Sequence, residues 1–269
     1  MLLAAPFFAL GHIAWQNFLW LALFFVFTLH FFRYRATALF FLAIFLLLAP
    51  ANLSDITSGG DYLTNFFYIA IAVTLFFLSL NRALYLAILA AVFLGITLSS
   101  RIVYIPILIP LLALTLQRSS RQRTALLFTT ILIAAAAITL PVFTPYPHPL
   151  SRLLQQLFQN GPKLRYIPTA LHPTWTLSIL ALIVASSAFI IRMNLPRLFL
   201  LFSISSFVML APFAITFALH SEQLRYVLSY LSLSALSFSL WTLSRYERTM
   251  ENEPSVTLPR QKELSRQNS

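Results

Sequence analysis

"ALYLAILAAVFLGITLSSRIVYIPILIPLLALTL", residues 83–116, is a run of 34 residues that is apolar almost throughout and holds a single permanent charge, Arg101. As one α-helix it would be about 51 Å long, at a rise of roughly 1.5 Å per residue. The hydrocarbon core of a bilayer is about 30 Å thick, and a helix of about 20 residues crosses it. The run is too long for one crossing and must fold into two helices, residues 83–98 and 102–116. Arg101 then sits at the hairpin between them, where its long side chain reaches the headgroups instead of hydrocarbon. Pro106 lets the second helix bend near that surface.

Composition extends this reading to the whole chain. Hydrophobic residues make up 59% and charged residues 9%, with a mean hydropathy of +0.82. A water-soluble domain carries roughly a quarter charged residues, so the sequence predicts an integral membrane protein. No period-2 alternation is present and Phe alone supplies 26 residues, which favours helices over the strands of an outer-membrane barrel. The absence of cysteine excludes disulfides, thiolate chemistry and cysteine metal sites. Eighteen Lys and Arg against 7 acids would suggest nucleic acid as the partner of a soluble protein. Here the basic residues lie in short clusters between apolar runs, the pattern that sets membrane orientation. The expected partners are membrane lipids with anionic headgroups, and no nucleic acid.

Nine runs read as spans: about 15–32, 36–50, 66–80, 83–98, 102–116, 125–143, 174–191, 198–219 and 226–243. The expected fold is all-α, a polytopic transmembrane helix bundle over residues 1–245, followed by a disordered cytoplasmic tail over 246–269. Alternation of the spans puts Arg33, Arg35, Arg82, Arg118, Arg121, Arg123, Arg192, Arg197, Arg245 and Arg248 on one side. Arg101, Arg152, Lys163, Arg165 and Arg225 fall on the other, together with Asp55, Asp61 and Glu222. The positive-inside rule makes the first side cytoplasmic. The N-terminus is then outside and the C-terminus inside, in a multi-pass protein of a bacterial inner membrane.

The long outer segment after residue 143 contains "LSRLLQQLFQNGP", residues 150–162. Leu150, Leu153, Leu154, Leu157 and Phe158 form one helical stripe opposite Arg152, Gln155, Gln156 and Gln159, and Gly161 and Pro162 end it. That spacing predicts an amphipathic helix at about 149–160 lying in the membrane interface. Residues 1–11, "MLLAAPFFALG", are too short to cross and have no basic n-region or cleavage site, so they read as an interfacial or re-entrant piece. An outward N-terminus without such signals leads to the expectation that the chain is the later part of a longer protein.

Signatures of soluble enzymes are missing: no GxSxG elbow, Walker loop, HExxH or glycine fingerprint occurs, and there are only 5 glycines. The histidines 12, 30, 148, 172 and 220 are scattered singly, so no metal site is expected. What remains is the polar set gathered on the outer side: Asp55, Asp61, Arg101, Lys163, Arg165, His172, Glu222 and Arg225. Charges near hydrocarbon usually face a bundle interior or a wet cavity, which makes this set the candidate site. The plainer alternative is that each charge snorkels to the headgroups.

Residues 83–123 resemble the middle helices of the C-type glycosyltransferases, polytopic enzymes that take sugars from polyprenyl-phosphate carriers. The matching residues are Gly95, Leu98, Ser100, Arg101, Pro106, Pro110 and the basic loop Arg118 to Arg123. "DYLTNFFYIAIAVTLFFLSLNRA", residues 61–83, and "EQLRYVLSYLSLSAL", residues 222–236, are similar in style. The resemblance covers about residues 36–123, with a weaker echo at 222–245. It implies an outward active site in which an acid of the first outer loop acts as base and cations hold the carrier phosphate. This chain departs from the pattern, since no acid precedes Asp55; the usual catalytic loop is lost or supplied by a partner chain.

On that resemblance Asp55 and Asp61 are the catalytic candidates, able to deprotonate an acceptor hydroxyl within hydrogen-bond reach. Arg101 and Arg225 would pair with phosphate oxygens, and Lys163, Arg165, His172 and Glu222 complete the substrate and phosphate site. No organic cofactor is implied, and a need for a divalent metal stays open. The expected substrate is a polyprenyl-phosphate-linked sugar. A transporter or flippase for lipid-linked glycans, a polysaccharide polymerase or ligase, and a non-catalytic membrane subunit are the alternative functions.

Overall fold

The computed structural model describes residues 7, 9–12, 14–32, 34–36, 38, 39, 43, 62–100, 102–143, 173–220 and 224–252. Among the described residues there are eight α-helices and no strand: α1 Trp15–Phe31, α2 Tyr62–Ser79, α3 Leu84–Leu98, α4 Leu108–Arg118, α5 Arg121–Phe143, α6 Pro173–Ser186, α7 Leu195–His220 and α8 Leu224–Asn252. Short 3₁₀ helices cover Ile102–Ile107 and Ser187–Phe189.

The run from 83 to 116 divides after Leu98, but in place of the one helix expected over 102–116 it continues as a 3₁₀ helix and then the 11-residue α4. α3 closes at Leu98, and the Ser99 and Ser100 hydroxyls donate back to the carbonyls of Ile96 and Thr97, both at 2.6 Å, so the helix end needs no water for these oxygens. The 3₁₀ segment then carries Pro106. Pro110 is the third residue of α4, in a first turn whose N–H groups have no partner within the helix. Pro173 opens α6 in the same way.

α2 is the central helix. Residues 63–70 are all buried, and α1, α3 and α8 pack around it. A helix apolar on every face belongs inside. Phe24 of α1 stacks on Phe67 at 4.7 Å between centroids and meets Phe66 edge-on at 6.0 Å.

α3 and α5 pack through small residues. Ala87, Ala91 and Gly95, one turn apart along α3, are all buried. A Cβ placed on Gly95 would overlap the carbonyl oxygen of Ile131 and come within 2.7 Å of the Ala134 Cβ. Stripes of small residues let helix backbones approach closely where lipid removes the hydrophobic drive to associate.

α7 and α8 form the other tight pair, closed by serines. Ser203 Oγ donates to the Ser234 carbonyl at 2.8 Å and Ser234 Oγ returns a bond of 2.8 Å to the Ser203 carbonyl. Hydrogen bonds of this kind between membrane helices couple by about 0.6 kcal/mol, and up to about 1.7. Each hydroxyl donates to a backbone carbonyl that survives substitution of the other serine, so Ser203→Ala and Ser234→Ala are each expected to lose about 0.6–1.7 kcal/mol, nearly additively, in unfolding in detergent. Single-variant losses near zero would show that the bonds add nothing to the pair.

Large apolar side chains are exposed while several small polar ones are buried. Ile190 is 88% exposed, Ile133 63%, Leu89 62% and Val26 62%, whereas Asn17, Thr28, Thr74, Thr97 and Thr115 are completely buried. The buried hydroxyls mostly fold back onto their own helix: Thr28, Thr74 and Thr115 each donate to the carbonyl four residues earlier at 2.7–2.9 Å. Such bonds satisfy a hydroxyl where water is absent.

Length separates the helices. The segments Arg121–Pro141 and Leu195–Pro212 are long and apolar enough to cross a membrane, and only 17% of the α5 window is buried. The other apolar helices are shorter, α3 being 15 residues, about 22 Å. Among the described residues, two of the nine expected spans meet this length and composition.

Several boundaries also differ. α2 begins at Tyr62 and not at Phe66, so Thr64 and Asn65 are helical; α5 begins at Arg121 and not at Ala125. α8 runs to Asn252, past position 246 where a disordered tail was expected, because Arg, Glu and Met are good helix formers. Residues 36, 38, 39 and 43 of the expected second span are helical. The rest of that span, the amphipathic segment 149–160 and residues 253–269 lie outside the described residues.

Candidate functional site

The two ends of the bundle differ in chemistry. At one end Arg123 Nη2 donates to the Arg82 carbonyl at 2.8 Å, joining the α2–α3 turn to the start of α5. Arg118 at the end of α4 lies over the Phe77 ring of α2, 4.5 Å from its centroid. Gln117 ties the same end to the link before α7: its Nε2 donates to the Ile191 carbonyl at 3.0 Å, and its Oε1 accepts from the Met193 N–H at 2.7 Å. Arg197 Nη1 donates to the Arg192 carbonyl at 2.6 Å. The short α7–α8 connection makes those helices antiparallel, and the register that sets Ser203 against Ser234 brings Arg245 level with the start of α7. Tyr34 and Tyr246 meet at 6.3 Å, which brings Arg35 to this end as well. Arg35, Arg82, Arg118, Arg121, Arg123, Arg192, Arg197 and Arg245 therefore share one end, and no carboxylate occurs among the described side chains.

The opposite end carries neutral polar groups. Both α1 and α2 start there and run toward the arginines, so Gln16 and Asn17 in the first turn of α1 lie level with Thr64 and Asn65 in the first turn of α2. The Thr64 hydroxyl donates to Asn17 Oδ1, and the Tyr68 hydroxyl donates to Asn65 Oδ1. Trp20 packs edge-on against Tyr68 at 5.5 Å and stacks with Phe93 of α3 at 6.4 Å. Gln16, Asn17, Thr64, Asn65, Tyr68 and Trp20 are all buried.

Two donors in this cluster, Asn65 Nδ2 and Trp20 Nε1, are buried without a hydrogen-bond partner. A buried amide or indole N–H left unpaired costs about 1–3 kcal/mol. An uncharged oxygen acceptor, a hydroxyl or water, would satisfy both. Aromatic rings beside amide and hydroxyl groups suit a ligand that is apolar on its ring faces and hydroxylated at its edges.

Of the residues expected to form the site, Asp55, Asp61, Arg101, Lys163, Arg165, His172 and Glu222 lie outside the described residues. Arg225 lies in the first turn of α8, with its backbone alone described. Asp61 immediately precedes α2 and thus the helix turn that carries Thr64 and Asn65. The cluster is built from neutral amides, which the charge pattern of the sequence does not mark. The available signal was the pair Gln16–Asn17 beside an apolar run and Thr64–Asn65 beside another, polar residues whose burial is expensive unless they face partners. Among the described residues no group of three metal-ligating side chains occurs. The chain matches no protein family, no characterised protein and no solved structure.

Proposed function

We propose that the chain is a multi-pass membrane protein of about nine crossings, in a bacterial inner membrane, with the arginine end in the cytoplasm. In this reading it is glycosyltransferase-like and handles a polyprenyl-phosphate-linked sugar at the opposite, extracytoplasmic end. The membrane assignment draws on the exposed large apolar side chains and on exposed aromatics at both ends: Trp15 and Trp175 at the neutral end, Tyr85 and Tyr246 at the arginine end. Such aromatic belts sit at membrane interfaces. Helices shorter than the core are accommodated by local thinning and by snorkelling arginines.

The observation that carries the functional reading is the buried cluster of Asn17, Thr64, Asn65, Tyr68 and Trp20 with its two unpaired donors. It offers the neutral, aromatic and amide chemistry that recognises a sugar, at the end opposite the positive charge. The resemblance of residues 83–123 to C-type glycosyltransferases supplies the carrier. Asp55 and Asp61 keep the proposed role of base, and Arg101 and Arg225 that of phosphate partners.

The test follows a radiolabelled polyprenyl-phosphate sugar in liposomes holding the purified protein, reading both loss of label from the carrier and its movement across the bilayer. Label should leave the carrier, and Asn65→Leu should slow this about tenfold, the worth of one hydrogen bond to substrate. Translocation without transfer would replace the reading with that of a flippase. Unchanged transfer in Asp55→Asn and Asp61→Asn would remove those carboxylates from the mechanism.

A further inference from the structure

At the arginine end a cleft of about 540 Å³ opens between the end of α4 and the link that precedes α7, lined by Gln117, Arg118, Phe189, Ile190, Ile191, Arg192 and Met193. Both walls are fixed by one side chain, since Gln117 holds the Ile191 carbonyl and the Met193 N–H together. The contents of the lining are of two kinds. Arg118 and Arg192 are exposed, and beside them Phe189 is 51%, Ile190 88% and Ile191 36% exposed. In water three consecutive bare apolar side chains beside two cations would be an unfavourable surface.

We infer that this cleft binds one anionic phospholipid, its phosphate between Arg118 and Arg192 and its acyl chains along Phe189, Ile190 and Ile191. Charge selects the occupant. Arg121 and Arg197 add to the positive field from the same end. Guanidinium groups match phosphate oxygens in geometry as well as sign. The apolar rim selects against a free anion, which would leave it uncovered. This inference rests on the membrane reading above and is independent of the sugar chemistry at the other end.

Native mass spectrometry of the full-length protein in detergent tests it, with phosphatidylglycerol, phosphatidylcholine and inorganic phosphate as probes. Phosphatidylglycerol adducts should dominate and should weaken about thirtyfold in the Arg118→Gln, Arg192→Gln double variant, each arginine near an anionic headgroup contributing roughly a factor of five. Arg192→Gln alone, which keeps the Arg118–Phe77 contact, should weaken them about fivefold. Arg121→Gln removes the same charge outside the cleft and should weaken the adducts far less than Arg192→Gln does. An equal loss in Arg121→Gln would overturn the inference in favour of a diffuse field, and full displacement by inorganic phosphate would overturn it in favour of a soluble anion. Carbonate extraction checks the membrane reading separately: protein released to the supernatant defeats that reading, while protein retained in the pellet without phosphatidylglycerol preference defeats the cleft alone.

Discussion

Gly95→Leu is expected to disrupt the α3–α5 pair and to lower stability by about 3 kcal/mol or more, at or beyond the upper end of the usual cost of overpacking. The obstacle is backbone: the new Cβ would overlap the Ile131 carbonyl oxygen, which cannot swing aside as a side-chain tip can, and Ala134 closes the other side at 2.7 Å. Gly95→Ala makes the sharper test because two effects oppose each other. In an open helix alanine would gain about 1 kcal/mol over glycine, whereas here the same methyl group should cost about 1–3 kcal/mol. The sign of the change therefore reports how closely the helices approach. Melting curves of both variants in detergent, followed by fluorescence on a sizing column, supply the measurement. A Gly95→Ala protein that melts above the wild type would mean that α3 and α5 do not touch at this point.

Gly95 also shows where the sequence stops being informative. Its place near the end of an apolar run was plain, yet nothing local in the sequence names Ile131 and Ala134 as its neighbours. The helices themselves were legible because apolar runs punctuated by Arg82, Arg118, Arg121, Arg192 and Arg197 mark their ends. The segregation of the arginines was legible for the same reason, as alternation along the chain converts into sides of a bundle. Boundaries moved where polarity and helix propensity disagree. Arg121, Gln122 and Arg123 are polar but favour helix, so α5 starts before its apolar run; Thr64 and Asn65 are polar but enclosed by neighbouring helices, so α2 does too. The neutral cluster was the least legible part, since Asn17 and Thr64 are 47 positions apart and become partners through tertiary packing alone.

Ile133→Arg separates a lipid-facing α5 from a water-facing one. Leu132 and Ile133, at 56% and 63% exposure, lie midway along Arg121–Phe143. In water an exposed substitution of this kind changes stability by about 0.5 kcal/mol or less, and the added charge improves solubility. At the centre of a membrane helix an arginine costs roughly 2.5–3.5 kcal/mol in insertion, which corresponds to about a hundredfold shift toward the non-inserted state. A reporter fused after residue 143, scored for the compartment it reaches, reads that difference directly. Gln122→Arg adds the same charge at the arginine end, where Arg121 and Arg123 already lie, and should leave the reporter where the wild type puts it. Loss of insertion in Ile133→Arg with none in Gln122→Arg would mean that depth along α5, and not charge as such, sets the penalty. Two unaffected reporters would instead make α5 a helix in water and leave the exposed apolar faces of the bundle in need of a protein partner.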